Sequence, residues 1–273
     1  MSRTAPGAPR HVLGFSLLTG VVLLGSACSS ALSPLKNKIK VGEEDFAVFA
    51  ADGPGGQSDL FAVLAAGGSV HQLTFTQLAE DAPALSPDGG GVAFLRARAG
   101  ADSGSRRVWV MNLLNGAERE LPLPDGAGAP SEVAWSRDGR SIYVRTDAGL
   151  YRVAAPPADP APARVSGTDS LAADSALALV LGDPPLARVT PCPAGVAGIC
   201  VTTVTGETQV LEKEGRDPTR WGPDSLGFFV GDGNDFEVRP LGGGRSRRLL
   251  WKRVPNGAHH MTYARALPRP REQ

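Results

Sequence analysis

Residue types that carry chemistry are few along this chain and mostly stand apart. There are four histidines, and two of them are adjacent, His259-His260, leading into Met261-Thr262-Tyr263. Imidazoles serve as metal ligands and general bases, but neighbours on a regular strand point to opposite faces. The pair is therefore not expected to hold one ion. Gly231-Asp232-Gly233-Asn234-Asp235 has residue types of a calcium loop. It lacks the spacing and closing Glu of an EF-hand and falls where a hairpin turn is expected. There is no Gly-x-Ser-x-Gly elbow, His-Glu-x-x-His motif, phosphate-binding loop or Gly-x-Gly-x-x-Gly fingerprint. The expectation is a protein that is not an enzyme, with no catalytic residue, cofactor or metal.

The three cysteines divide by context. Cys192 and Cys200 bracket Pro-Ala-Gly-Val-Ala-Gly-Ile, a loop too apolar and too poor in His or acid for a metal site. In an oxidising compartment such a pair closes a small loop as a disulfide. Cys28 belongs to a different segment. Arg3 and Arg10 precede a short apolar run, Val12 to Leu24, the pattern of an export signal. The run ends in Leu24-Gly25-Ser26-Ala27-Cys28, which resembles the lipobox of bacterial lipoproteins. That resemblance implies a signal peptide over 1–27, a lipid on Cys28, and a membrane tether over 28–42. Ser29 after the Cys implies outer-membrane retention facing the periplasm. Lys+Arg and Asp+Glu both total 28, a balance that argues against a nucleic-acid partner.

What positions these residues is a repeated phrase. Leu85-Ser86-Pro87-Asp88-Gly89 precedes the apolar run Val92-Ala93-Phe94-Leu95, and Trp135-Ser136-Arg137-Asp138-Gly139 precedes Ile142-Tyr143-Val144. A worn copy, Leu171-Ala172-Ala173-Asp174, precedes Ala178-Leu179-Val180, and Trp221-Gly222-Pro223-Asp224 precedes Phe228-Phe229-Val230. Asp bonds the backbone two residues on and Gly tolerates positive φ, so each phrase reads as strand, tight turn, strand. The large residue three places before each Asp (Leu85, Trp135, Leu171, Trp221) is expected to pack between sheets. These residues recur once per unit, as scaffold residues do. The four Asp positions lie 50, 36 and 50 residues apart, the spacing of propeller blades.

Units follow at roughly 46–74, 81–123, 131–167, 168–213 and 217–252. The first lacks an opening strand, and His259 to Leu267 is a strand with no partner after it. Closure of the ring by this C-terminal strand satisfies both and removes the open edge. The expected fold is an all-β propeller of five blades of four antiparallel strands. A sixth blade is the alternative if Pro255-Asn256-Gly257 opens another unit.

The phrase Leu85 to Gly89, with Val92-Ala93-Phe94 and Val108-Trp109-Val110-Met111-Asn112, resembles the WD40-like propeller repeat of the TolB C-terminal domain and of prolyl-oligopeptidase-type proteins. The resemblance spans 43–273. Because the acidic residues mostly fall in turns and His is scarce, the expected function is a non-enzymatic, lipid-anchored scaffold whose partner is a cell-envelope protein. A propeller hydrolase of lactonase type, or a small-ligand binder with its site at the central channel, is the alternative. Several Asp, Glu or His side chains converging in the channel would mark that alternative.

Overall fold

The computed structural model describes Met1 and residues 33–267, apart from 99, 101, 102, 168, 183, 184, 223, 232–234, 242 and 243. The expected signal peptide and the lipidated Cys28 lie outside the described residues, as does most of the acidic 231–235 stretch.

The strands form five four-stranded antiparallel sheets, the blades of a propeller ring. Blade 2 runs Leu78–Leu85, Gly91–Arg98, Arg107–Asn112 and Glu118–Leu121 from its innermost to its outermost strand. Blade 3 runs Pro130–Trp135, Ser141–Thr146, Gly149–Ala154 and Ala163–Arg164. Blade 4 runs Val180–Leu181, Ala187–Thr190, Ile199–Thr203 and Thr208–Glu212, and blade 5 runs Arg216–Gly222, Ser225–Val230, Asp235–Pro240 and Arg247–Leu249. Blade 1 takes its innermost strand from the far end of the chain: His259–Ala264 pairs antiparallel with Phe46–Asp52, followed by Ser58–Leu64 and His71–Gln72.

The closure has further locks that the sequence did not suggest. Trp251–Lys252 pairs in parallel with Gly68–Ser69. Trp251 Nε1 donates to the Leu64 carbonyl at 3.2 Å. Tyr263 Oη and the Ala266 amide both donate to the Asp45 carboxylate, at 2.6 and 2.7 Å.

The repeated phrase builds the same turn twice. In blade 2, Ser86 Oγ and the Gly90 amide donate to Asp88 Oδ1 at 2.5 and 2.9 Å, and the Gly91 amide donates to Ser86 Oγ at 2.8 Å. In blade 3, Ser136 Oγ and the Arg140 amide donate to Asp138 Oδ1 at 2.6 and 3.1 Å, and the Ser141 amide donates to Ser136 Oγ at 2.9 Å. Gly89 and Gly139 sit at φ +70° and +69°, a region an L side chain enters only at a cost. Asp224 stands at the corresponding turn of blade 5, where Gly222 pairs with Ser225 and the Leu241 amide donates to the Asp224 carbonyl at 2.8 Å.

The worn copy is not a turn. Asp169–Leu177 is an α-helix, and blade 4's first strand shrinks to Val180–Leu181. Leu171, expected between sheets, is 71% exposed. Asp174, expected at a turn, lies on the helix within 3.5 Å of Arg145 Nη2. The cause is local: Leu-Ala-Ala-Asp-Ser-Ala-Leu has strong helix formers and no β-branched residue, and no Gly follows Asp174 to take a left-handed turn.

A second difference concerns the tether. Residues 34–38 form a turn in which the Ile39 amide donates to the Leu35 carbonyl at 3.1 Å. Leu35 and Ile39 therefore share a face, and both are buried among Phe46, Val48, Leu60, Phe94 and Leu113 between blades 1 and 2. Lys36, Lys38 and Lys40 stay exposed. Ser33 Oγ donates to the Leu113 carbonyl at 2.9 Å, so the ring's packing begins at about residue 33 rather than 43.

Between blades 5 and 1 the core is aromatic, with Trp221 stacked on Tyr263 at 4.3 Å and Phe236 on Trp251 at 4.9 Å. Leu85 and Trp221 are buried, and half-buried Trp135 donates its Nε1 proton to the Ala84 carbonyl at 2.9 Å, tying blade 3 to blade 2.

Candidate functional site

Three innermost strands share one irregularity. In blade 2, Ala82 and Pro83 stand opposite Phe94; in blade 5, Asp217 and Pro218 stand opposite Phe228; in blade 1, His260 and Met261 stand opposite Phe49. Each is a β-bulge, with one extra residue on the inner strand. In each the first residue is left-handed without being glycine: Ala82 at φ +48°, Asp217 at +48° and His260 at +45°. The opposing phenylalanines are all fully buried, so a rigid second strand holds each bulge.

At the bulges of blades 1 and 2 the titratable groups meet. His260 Nδ1 stands 2.7 Å from Asp81 Oδ1, and His259 Nε2 stands 3.2 Å from the same oxygen. His259 Nδ1 donates to the Gly257 carbonyl at 2.5 Å, which fixes the ring and aims Nε2 at Asp81. The imidazole centroids are 5.0 Å apart. The expectation that adjacent histidines face opposite ways fails here because the bulge breaks the two-residue alternation.

The electrostatics follow from this contact. Burial alone would raise the Asp81 carboxyl, but the hydrogen bonds from His259 and His260 outweigh it and hold the group well below the ordinary carboxylate range. Both imidazoles are raised above their ordinary value, chiefly by the hydrogen bond to Asp81, with Asp217 adding a smaller contribution. The three residues could also hold a metal ion, since one donor atom from each lies within 4.8 Å of the other two.

Behind the cluster runs a buried polar network between blades 1 and 2. Arg96 Nε donates to Glu80 Oε1 at 2.8 Å and its Nη1 donates to Glu118 Oε2 at 2.6 Å, while the guanidinium lies over the rings of Phe94 and Trp109. Thr76 Oγ1 donates to Glu80 Oε1 at 2.6 Å, and Gln72 Nε2 donates to Asp59 Oδ2 at 2.8 Å. Burial raises both Asp59 and Glu80, and a hydrogen bond joins the two carboxyls. Two buried carboxyls in contact hold a proton that isolated ones would lose.

Cys192 and Cys200 form a disulfide in blade 4, with Cα atoms 5.0 Å apart. A cleft of about 650 Å³ lies between blades 4 and 5, lined among others by Leu186, Val201, Val210, Arg239 and Leu241. Leu186, Val204 and Val210 are 66%, 73% and 43% exposed. No described helix is long and apolar enough to cross a membrane.

Among solved structures, the chain is similar to the TolB of Acinetobacter baumannii, at 12% identity and TM-score 0.45, covering 83% of this chain and 68% of that one. It is also similar to a chain of a nidogen/laminin complex, at 12% identity and TM-score 0.52, covering 82% of this chain and all of the other. A TolB from Agrobacterium tumefaciens is similar at 15% identity and TM-score 0.38, covering 76% of this chain and 64% of that one. At these identities the likeness concerns the fold alone. No protein-family model and no curated protein sequence matches the chain.

Proposed function

We propose that this chain is a non-enzymatic, lipid-anchored propeller of the cell envelope that serves as a protein–protein interaction scaffold. The observation that carries this reading is the contrast in where apolar groups lie. The ring is tightly packed at its seam, yet Leu186 and Val210 stand exposed along the cleft between blades 4 and 5. Exposed apolar groups gathered beside a cleft are a mark of interaction sites. The Cys192–Cys200 disulfide accords with an exported protein, and the lipobox-like residues ahead of Cys28 supply the anchor. The balance of charge is that of a protein with no nucleic-acid partner.

The test is crosslinking of the full chain in envelope membranes, followed by capture and mass spectrometry. A reproducible envelope protein is expected, with recovery falling at least about tenfold in Leu186→Asp/Val210→Asp, the loss of a central apolar contact. Recovery unchanged in that variant would overturn the choice of face. Cys28→Ala is expected to release the protein from membranes, and persistent membrane association would overturn the anchor. A second reading, an enzyme or small-ligand binder with its site at the channel, is favoured by the convergence of Asp81, His259 and His260. Hydrolysis of ester or lactone substrates by the full chain, abolished in Asp81→Asn, would establish it over the first.

A further inference from the structure

The geometry points to a divalent transition-metal site of the zinc type at the inner-strand bulges of blades 1 and 2, with His259 Nε2, His260 Nδ1 and Asp81 Oδ1 as its protein ligands. This inference is independent of the scaffold reading: the ring can hold an ion whether or not it holds a partner.

The first argument is the donor set. Two imidazole nitrogens and one carboxylate oxygen suit zinc, nickel or cobalt, whereas calcium and magnesium take oxygen-rich cages. The second is spacing. Bonds of about 2.0–2.1 Å in a tetrahedral site place ligand atoms roughly 3.3 Å apart. The two imidazole-to-carboxylate separations here are 2.7 and 3.2 Å, and all three donor atoms lie within 4.8 Å of one another, so an ion is admitted once rotation of these partly exposed side chains opens the shorter contact by roughly half an ångström. The third is orientation. A metal-bound imidazole commonly donates its other N–H to a carbonyl or carboxylate, and His259 Nδ1 already donates to the Gly257 carbonyl. That bond leaves the Nε2 lone pair free for an ion once the ring is neutral.

The backbone supplies the fourth argument. Both imidazoles reach Asp81 only because His260 is left-handed, at φ +45°. A regular strand would turn one ring away. The site is also reachable, since the Asp81, His259 and His260 side chains are 28%, 29% and 51% exposed. Three protein ligands leave a position for water or an incoming donor, the arrangement of open rather than structural zinc sites. Because Asp81 belongs to blade 2 and both histidines to the closing strand of blade 1, the ion would also bridge that closing strand to the neighbouring blade. On binding, Zn²⁺ takes the place of the protons between the imidazoles and the carboxylate, and those protons leave to solvent.

The experiment is calorimetric titration of the full, untagged, chelator-treated chain with Zn²⁺, repeated with Co²⁺ for its visible spectrum. One equivalent of Zn²⁺ is expected, and the Co²⁺ form should show the strong bands of a four- or five-coordinate ion. Affinity should fall at least about tenfold in His260→Ala and in Asp81→Asn, and stay unchanged in His71→Ala. Because a variant can fail to fold, the ¹⁵N resonances of the imidazoles are followed in the wild-type chain: those of His259 and His260 should move on saturation and that of His71 should not. Absence of stoichiometric binding would overturn the site. So would undiminished binding in the Asp81→Asn variant, or His259 and His260 resonances that stay in place.

Discussion

The strand Phe46–Asp52 of blade 1 buries six consecutive residues, Phe46 through Ala51, whereas Thr208–Glu212, the outer strand of blade 4, buries none. Blade 1 is covered on both sides, by the aromatic cluster shared with blade 5 and by the cluster that takes in Leu35 and Ile39. The cluster between blades 4 and 5 is smaller: its buried members among the described residues are Leu181, Ile199 and Val201 with Leu226 and Phe228, with partly buried Ala187, Val189, Leu211, Val230 and Leu241 against them. The inner strand of blade 4 is largely replaced by a helix with one buried residue, Ala173. Yet blade 1 carries no copy of the repeated phrase and blade 4 carries a worn one. The phrase specifies a turn; what fixes a blade is the wedge of apolar side chains on each face, and a disulfide partly stands in where that wedge is thin.

The sharpest way to break this comparison is to truncate one apolar side chain in each region. Phe49 is fully buried, with ring centroids of Phe61, Trp251 and Phe229 within 5.9–6.3 Å. Phe49→Ala should cost about 3–5 kcal/mol in denaturant unfolding, and Val210→Ala in blade 4 less than about 0.5 kcal/mol. Equal costs would refute the contrast.

Opening the disulfide in Cys192→Ser/Cys200→Ser should cost about 2–3 kcal/mol on the chain-entropy model. Amide hydrogen exchange should accelerate in Ile199–Thr203 and Thr208–Glu212 and not in Phe46–Asp52. Acceleration spread evenly over the ring would mean that blade 4 does not open by itself.

A smaller effect separates two copies of one turn. Gly139→Ala places a left-handed Cβ in ordinary contact, 3.7 Å from Pro87 Cδ, and should cost about 1–2 kcal/mol. Gly89→Ala has the same φ but meets Ala264 Cβ at 3.2 Å and Phe46 at 3.4 Å. It should cost more than Gly139→Ala by thermal unfolding, because its neighbours belong to the seam.

The smallest effect is in the pH profile. The folded state holds the Asp59 proton more tightly than the unfolded chain does, because burial disfavours the charged carboxylate by more than its hydrogen bonds to Glu80, Gln72 and Thr74 favour it. This contribution is complete below the ordinary value of 3.8 and is lost as pH rises through the raised folded value. Asp59→Asn should flatten that decline in stability between acid and neutral pH, whereas a substitution at exposed Glu207 should leave the slope in place.

Blades 2, 3 and 5 were legible because each keeps an Asp turn before an apolar run, and closure was legible because a strand was missing at one end and spare at the other. The helix at 169–177 was hidden by the phrase itself: Leu171 and Asp174 match its spacing, but alanines and a missing glycine decide the local conformation. Leu35 and Ile39 are hard to read as core from sequence, because Lys36, Lys38 and Lys40 surround them in a stretch with no strand or helix periodicity. The Asp81–His259–His260 cluster was the least legible, since the left-handed residues at the bulges are Ala82, Asp217 and His260 rather than glycine. A signal did exist for two of them. Pro83 and Pro218 follow directly, and a proline within a strand marks an edge or a bulge.

The pairing of His259–Ala264 with Phe46–Asp52 also sets a schedule for synthesis. The first long strand among the described residues acquires its inner neighbour only when a segment some two hundred residues later is made. Contacts so distant in sequence are slow to form. Throughout that interval a strongly apolar strand has one unpaired edge, the kind of template on which other chains assemble. Slowing synthesis before residue 259 emerges therefore lengthens the exposure of that edge, whatever the stability of the finished ring.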